Sequence, residues 1–286
     1  MNLMYALPII NAGVMLVITA LGLRTRPADT LLLFRSPVLG VRAVLAMFVF
    51  VPACTLLMVW RLPLEPAIQA SLLALAVAPV APIVFRARTS ANTDGDYTVG
   101  LQVFTAVVSL AAVPAMLAVA ERVFDFHTRF PVSEIAIMLL RVIGLPLAVG
   151  IGLARLLGDR RVRVALWLER IGSTVLTAGM VLILALLLPK VWFMAVNGRL
   201  LSVVAVTGFM LLGCHLFGGP EKGTRIALTM GSAQRHPGIS FVVATTVLPA
   251  EEETIIAVIV MFLLVSTLAI IPYMLKRDDP VADSTT

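Results

Sequence analysis

The sequence predicts an all-α integral membrane protein, and three observations carry that prediction. Hydrophobic residues make up 60% of the 286 and charged residues 13%, against roughly 45–50% and about 25% in soluble globular domains. Mean hydropathy is +1.02. The apolar residues come in long blocks separated by short charged loops, which is the pattern of membrane spans and not of one soluble core.

A span needs about 20 mostly apolar residues. Nine segments qualify: 3–23, 37–60, 66–85, 97–120, 131–157, 167–188, 200–217, 223–248 and 254–275. No basic region precedes the first block and no cleavage site follows it, so it is expected to stay as a helix and not to be removed as a signal peptide. The last residues, 277–286, read as a short polar tail.

The basic residues orient the spans. One set of alternate loops holds Arg24, Arg26, Arg35, Arg86, Arg88, Arg155, Arg160, Arg161, Arg163, Lys222, Arg225, Lys276 and Arg277. The other holds only Arg61, Arg122, Arg129, Lys190 and Arg199. The richer set is expected on the cytoplasmic side, with the N-terminus outside and the C-terminus in the cytoplasm. Arg42 and Arg141, near helix ends, read as snorkelling side chains.

Two spans are not plain. The third contains Pro79-Val80-Ala81-Pro82, where two prolines remove two amide donors. The eighth contains Ser232-Ala233-Gln234-Arg235-His236-Pro237-Gly238, a polar break inside an apolar segment. The two run in opposite directions, at matching places in two halves. Paired broken helices of this kind point to an inverted-repeat transporter with its site at the breaks. The backbone groups that a break frees must face protein or water, because lipid cannot satisfy them.

Other features are less specific. The net charge of +6 and the pI near 10.0 would suit nucleic-acid binding in a soluble protein. Here they follow from topology, and no nucleic-acid motif is present. Cys54 and Cys214 sit in apolar blocks and read as packing. His127, His215 and His236 are too scattered for a metal centre, so no metal site is assigned. The 13 Met residues read as packing. Pro114, Pro146, Pro189 and Pro249 are expected to kink or end helices, and residues 218–222 to form a tight cytoplasmic turn.

The run from Ala227 through Thr229, Gly231, Gln234 and His236 to Ile239 resembles the second crossing helix of the bile acid:sodium symporter family. Pro79-Val80-Ala81-Pro82 followed by Gly95-Asp96-Tyr97-Thr98-Val99-Gly100 resembles the first. The likeness extends over nearly the whole chain in order, spacing and orientation. It implies a single transmembrane unit over 1–276, with a core of about 37–120 and 200–275 and a panel of about 1–36 and 131–190. It also implies nine helices where other members have ten, and substrate bound near the crossing, facing the panel.

The chain departs from that family where sodium would bind. Aligned on Gly238, Gly231 stands at the family's Glu position, and Arg235 and His236 stand at its Gln-Asn positions. Met47 replaces a Gln, and the stretch Phe85-Arg86-Ala87 replaces a Ser-Asn pair. A lost carboxylate and a gained Arg disfavour a sodium site and favour an anion, with Na⁺ or H⁺ left as candidate coupling ions. Oxygen ligands from Gln234, Ser232, Thr105 or Ser109 could still hold Na⁺.

The candidate substrate and ion residues are therefore Pro79, Pro82, Arg86, Gln102, Thr105, Ser109, Ser232, Gln234, Arg235, His236, Pro237 and Gly238. Gln102, Thr105 and Ser109 share a helix face that could lie against the crossing, or could bond neighbouring helices. Arg235 reads as substrate-facing or as a cap on half-helix carbonyls. Arg86 and Arg88 read first as cytoplasmic anchors, and a deep crossing would turn Arg86 to the site. Arg235→Ala is expected to abolish uptake and leave folding intact.

The expected function is secondary active transport of a small organic anion, a bile acid or another organic acid, by alternating access in a bacterial inner membrane. The alternative is a membrane protein that binds a ligand without moving it. No catalytic residues are assigned, since no Asp pair, Ser/His pair or zinc motif is evident. The expected partners are the lipid bilayer and the anion, not nucleic acid, with a homo-oligomer left open.

Overall fold

The computed structural model describes residues 6–25, 33–81, 95–124 and 132–275. Among these the chain is mostly helical, and its one β-type pairing is an isolated bridge between Val80 and Arg235. The elements are α1 (Ala6–Arg24), α2 (Pro37–Val44), α3 (Val51–Arg61), α4 (Pro66–Val77), α5 (Gly95–Phe124), α6 (Val132–Leu139), α7 (Leu145–Leu157), α8 (Arg161–Val196), α9 (Arg199–Phe217), α10 (Lys222–Ala233), α11 (Pro237–Val247) and α12 (Glu252–Leu275). A π-helical stretch, Leu45–Phe50, joins α2 to α3, and another, Leu140–Gly144, joins α6 to α7.

Proline sets several helix starts. Pro37, Pro66 and Pro237 each stand in the first turn of their helix, where a missing N–H is no loss. Stretches over Pro37–Arg61, Tyr97–Val119, Ser133–Val196, Arg199–Phe217 and Pro249–Ile271 are long and apolar enough to cross a membrane. Large apolar side chains lie exposed along them, as lipid-facing surface requires. Trp60 and Trp192 are exposed near helix ends, where an aromatic belt meets the interface.

α1 packs along α7 and α8. The approach to α7 is close because Gly22 and Gly150 face each other. A Cβ on Gly22 would stand 2.6 Å from the Leu147 carbonyl oxygen, and one on Gly150 2.3 Å from that of Thr19. Small residues at such a seam let dispersion contacts hold helices together in lipid. The end of the seam is clasped by Arg24, which donates to Glu169 at 2.9 Å. A second group joins α3, α4, α9, α10, α11 and α12, with α5 lying against α10.

Some boundaries differ from expectation. α8 has 36 residues, about 54 Å at 1.5 Å per residue, which exceeds a hydrocarbon core of about 30 Å. Arg161 and Arg163 thus belong to its first turn and not to a loop, and Pro189 lies inside it without ending it. Pro114 likewise sits inside α5. The expected third span is helical only to Val77, and residues 82–94 lie outside the described residues.

Candidate functional site at two interrupted helices

Both predicted breaks exist, and they meet. α4 stops at Val77, with Ala78 extended at ψ 148. α10 stops at Ala233, and His236 is extended at ψ 107 before α11 begins. The freed backbones pair with each other. Ala81 N–H donates to the Gln234 carbonyl at 2.8 Å, and His236 N–H donates to the Pro79 carbonyl at 2.9 Å. Pairing is the only way to satisfy such groups where no water is at hand.

Arg235 sits at this crossing and is wholly buried, 0% exposed. Its Nε donates to the Ser232 carbonyl at 2.9 Å, one terminal nitrogen to that of Ala78 at 2.9 Å, and the other to that of Met47 at 3.5 Å. Covalent chemistry explains why these oxygens are free. Proline has no N–H to give. Pro82 is the fourth residue after Ala78, where a helix would have supplied the donor. Pro52 is the fifth after Met47, the donor position in a π-helical stretch. Four residues after Ser232, the His236 amide is diverted to Pro79, and the fifth residue is Pro237.

A buried cation costs several kcal/mol. Hydrogen bonds to a charged group return about 1.5–3 kcal/mol each. The helix poles help as well, since Ala78 and Ser232 lie at the C-terminal ends of α4 and α10. Each such end carries roughly half a negative charge. The guanidinium is therefore matched by two helix ends, and its charge is not left over for a ligand.

The other predicted residues divide sharply. Thr105 donates to the carbonyls of Leu101 and Gln102 in its own helix, and Ser109 to that of Ala106. Neither hydroxyl bonds another helix. Ser232 donates to Met210 and Thr229 carbonyls. By contrast, the side-chain Nε2 atoms of Gln102, Gln234 and His236 are buried without a hydrogen-bond partner. The three residues are 7%, 4% and 1% exposed. The His236 Nδ1 accepts the Ile239 N–H at 3.3 Å, which leaves the ring proton on Nε2 as a donor. Pro82 and Arg86 lie outside the described residues.

Pro237 opens α11, and Gly238 faces a residue that sequence reasoning missed. A Cβ on Gly238 would stand 3.5 Å from the Asn11 Oδ1 and 3.5 Å from the His236 Cε1. Asn11 lies on α1 and is exposed, which is unusual for an amide inside a membrane span. Its polarity amid the apolar run of α1 was the available signal. Next to the crossing, a cleft of about 450 Å³ with an apolar lining includes Leu73 and Val77 of α4, Ala115 of α5 and Val243 of α11.

Carbonyls at half-helix C-termini are the kind of ligand that holds Na⁺ in transporters. Here they do not fit one, because the guanidinium already takes them. A second unit charge about 4 Å away would be repelled by roughly 4 kcal/mol at an effective dielectric of ~20. Among the described residues no carboxylate pairs with Arg235.

Comparison with known proteins is consistent with this architecture. The sequence model of the sodium bile acid symporter family matches residues 11–217. The match takes in the first break and stops ahead of the second. No curated protein matches the chain. The match covers well over half of a helical, membrane-spanning chain, and on that ground the protein belongs to the sodium bile acid symporter family.

Proposed function

We propose that the protein is a secondary transporter, not an enzyme, and that it carries a small organic anion across a bacterial inner membrane by alternating access. The observation that carries this reading is the set of three buried, unpartnered nitrogens of Gln102, Gln234 and His236. Acceptor oxygens are what such nitrogens lack, and a carboxylate or sulfonate brings several. The N-terminal end of α11, beginning at Pro237, adds a positive pole beside them.

In this reading α1, α6, α7 and α8 form a panel, and the remaining helices form a core that carries the crossing. Asn11 is then the panel's contribution to the site, and rocking of core against panel exposes the anion to each side in turn. The apolar cleft beside the break would take the apolar body of an amphipathic anion. The distribution of basic residues supports an outside N-terminus and a cytoplasmic C-terminus.

The test is uptake and counterflow in proteoliposomes, using radiolabelled taurocholate, benzoate and succinate. Accumulation with counterflow of at least one is expected. Saturable binding without counterflow would instead favour a membrane protein that holds a ligand and does not move it.

A further inference from the structure

The buried guanidinium has a stronger implication than capping. We infer that Arg235 is a built-in counter-cation: it fills a carbonyl cage that would otherwise need a soluble ion, so this protein closes its crossing without sodium. Three observations carry this. The cage oxygens of Met47, Ala78 and Ser232 come from three separate parts of the chain and meet on one side chain. Two of them, Met47 and Ala78, lack a helical donor because Pro52 and Pro82 stand where it would be, and the third, Ser232, because the His236 amide turns to Pro79, so much of the cage is written into the covalent structure. Its two helix ends sum to roughly one negative charge, which is the charge of one monovalent cation.

The cage also joins the breaks to α2 and α3 through Met47. A cation at this point is thus a condition for the crossing to hold its shape, whatever substrate binds. A tethered guanidinium meets that condition at every salt composition, whereas a free ion would meet it only when bound. This deepens the reading of the crossing as the transport site, but it is tested without any substrate.

The experiment is thermal unfolding of the purified full-length protein in detergent, followed by the fluorescence of Trp60, Trp167 and Trp192. It is run in NaCl, KCl and choline chloride at one ionic strength. For the wild type the midpoint is expected to be the same in all three, and a rise specific to Na⁺ would overturn the inference. R235A and R235Q are then compared. Their midpoints are expected to fall by several degrees in choline and to recover with Na⁺, K⁺ or millimolar guanidinium, which leave the wild type unchanged. A folded variant that no cation restores would also overturn it. Should neither variant fold, the wild-type salt series decides alone. Failure of anion uptake would sink the transport reading and leave these midpoints as they are.

Discussion

Arg24 and Arg235 are both arginines held against helices of one membrane protein, and they are neutralised in opposite ways. Arg24 meets a carboxylate, Glu169, at the end of the α1 seam, with its own side chain 38% exposed. Arg235 is fully enclosed and meets only backbone carbonyls. At the first site two side chains carry the charge balance, and water reaches only the Arg24 end of the pair, since Glu169 is buried. At the second the backbone itself is the counter-charge. A clasp of the first kind can open on its Arg24 side, where water can take up the guanidinium. A cage of the second kind cannot, because its oxygens have nowhere else to turn.

The largest effect is therefore expected at Arg235. In R235A, three buried carbonyls lose their donors, each at a cost of about 1–3 kcal/mol. Without an added cation uptake should fail and the unfolding midpoint should drop, whereas the sequence alone leads one to expect folding to survive. An R235A protein as stable as wild type in choline would erase the contrast with Arg24. Next comes Q234L. Loss of a hydrogen bond to an anion, worth about 1.5–3 kcal/mol, should weaken apparent substrate affinity by about 10–100-fold. Since the amide nitrogen has no partner in the free protein, the unfolding midpoint should hold or rise. A fall in the midpoint without a change in uptake would show Gln234 to be purely structural.

A smaller effect is expected at Asn11. N11A removes one neutral hydrogen bond, worth about 0.5–1.5 kcal/mol, and should raise the KM for uptake about 2–10-fold with little change in stability. Unaltered KM would remove α1 from the site. The smallest functional effect is expected in the clasp. E169Q weakens a charge-assisted hydrogen bond at a buried carboxylate, should cost about 1.5–3 kcal/mol of stability and leave uptake unchanged, as measured by denaturant unfolding alongside counterflow. A loss of transport there as large as at Gln234 would mean that the clasp and the cage act as one unit.

Much of this was legible in the sequence. Hydropathy marked the apolar helices, five stretches of which are long enough to cross a membrane among the described residues, and the prolines and the polar run at residues 232–238 marked both breaks. Gln102, Gln234, Arg235 and His236 all stand out in the sequence as polar residues within apolar segments. Thr105 and Ser109 join them on spacing alone, and the structure turns both hydroxyls back on their own helix. Periodicity could place those two on a face, but it could not say that a hydroxyl would choose the carbonyl three or four residues behind it. Asn11 went unnamed because its meaning depends on Gly238, more than two hundred residues away in the chain. Met47 was noted as a missing glutamine, yet its contribution is its carbonyl and not its side chain.

The division has a physical basis. What the sequence alone determined is local and covalent: where the chain is apolar enough to span, where it must break, and which carbonyls a proline leaves without an amide. What only the tertiary structure decided is where each freed oxygen turns. Ala78 and Met47 stand 157 and 188 residues from Arg235 in the chain, and no local rule pairs them. Packing brings them to one guanidinium because, in lipid, an unpaired carbonyl and an unpaired cation each cost too much to be left apart.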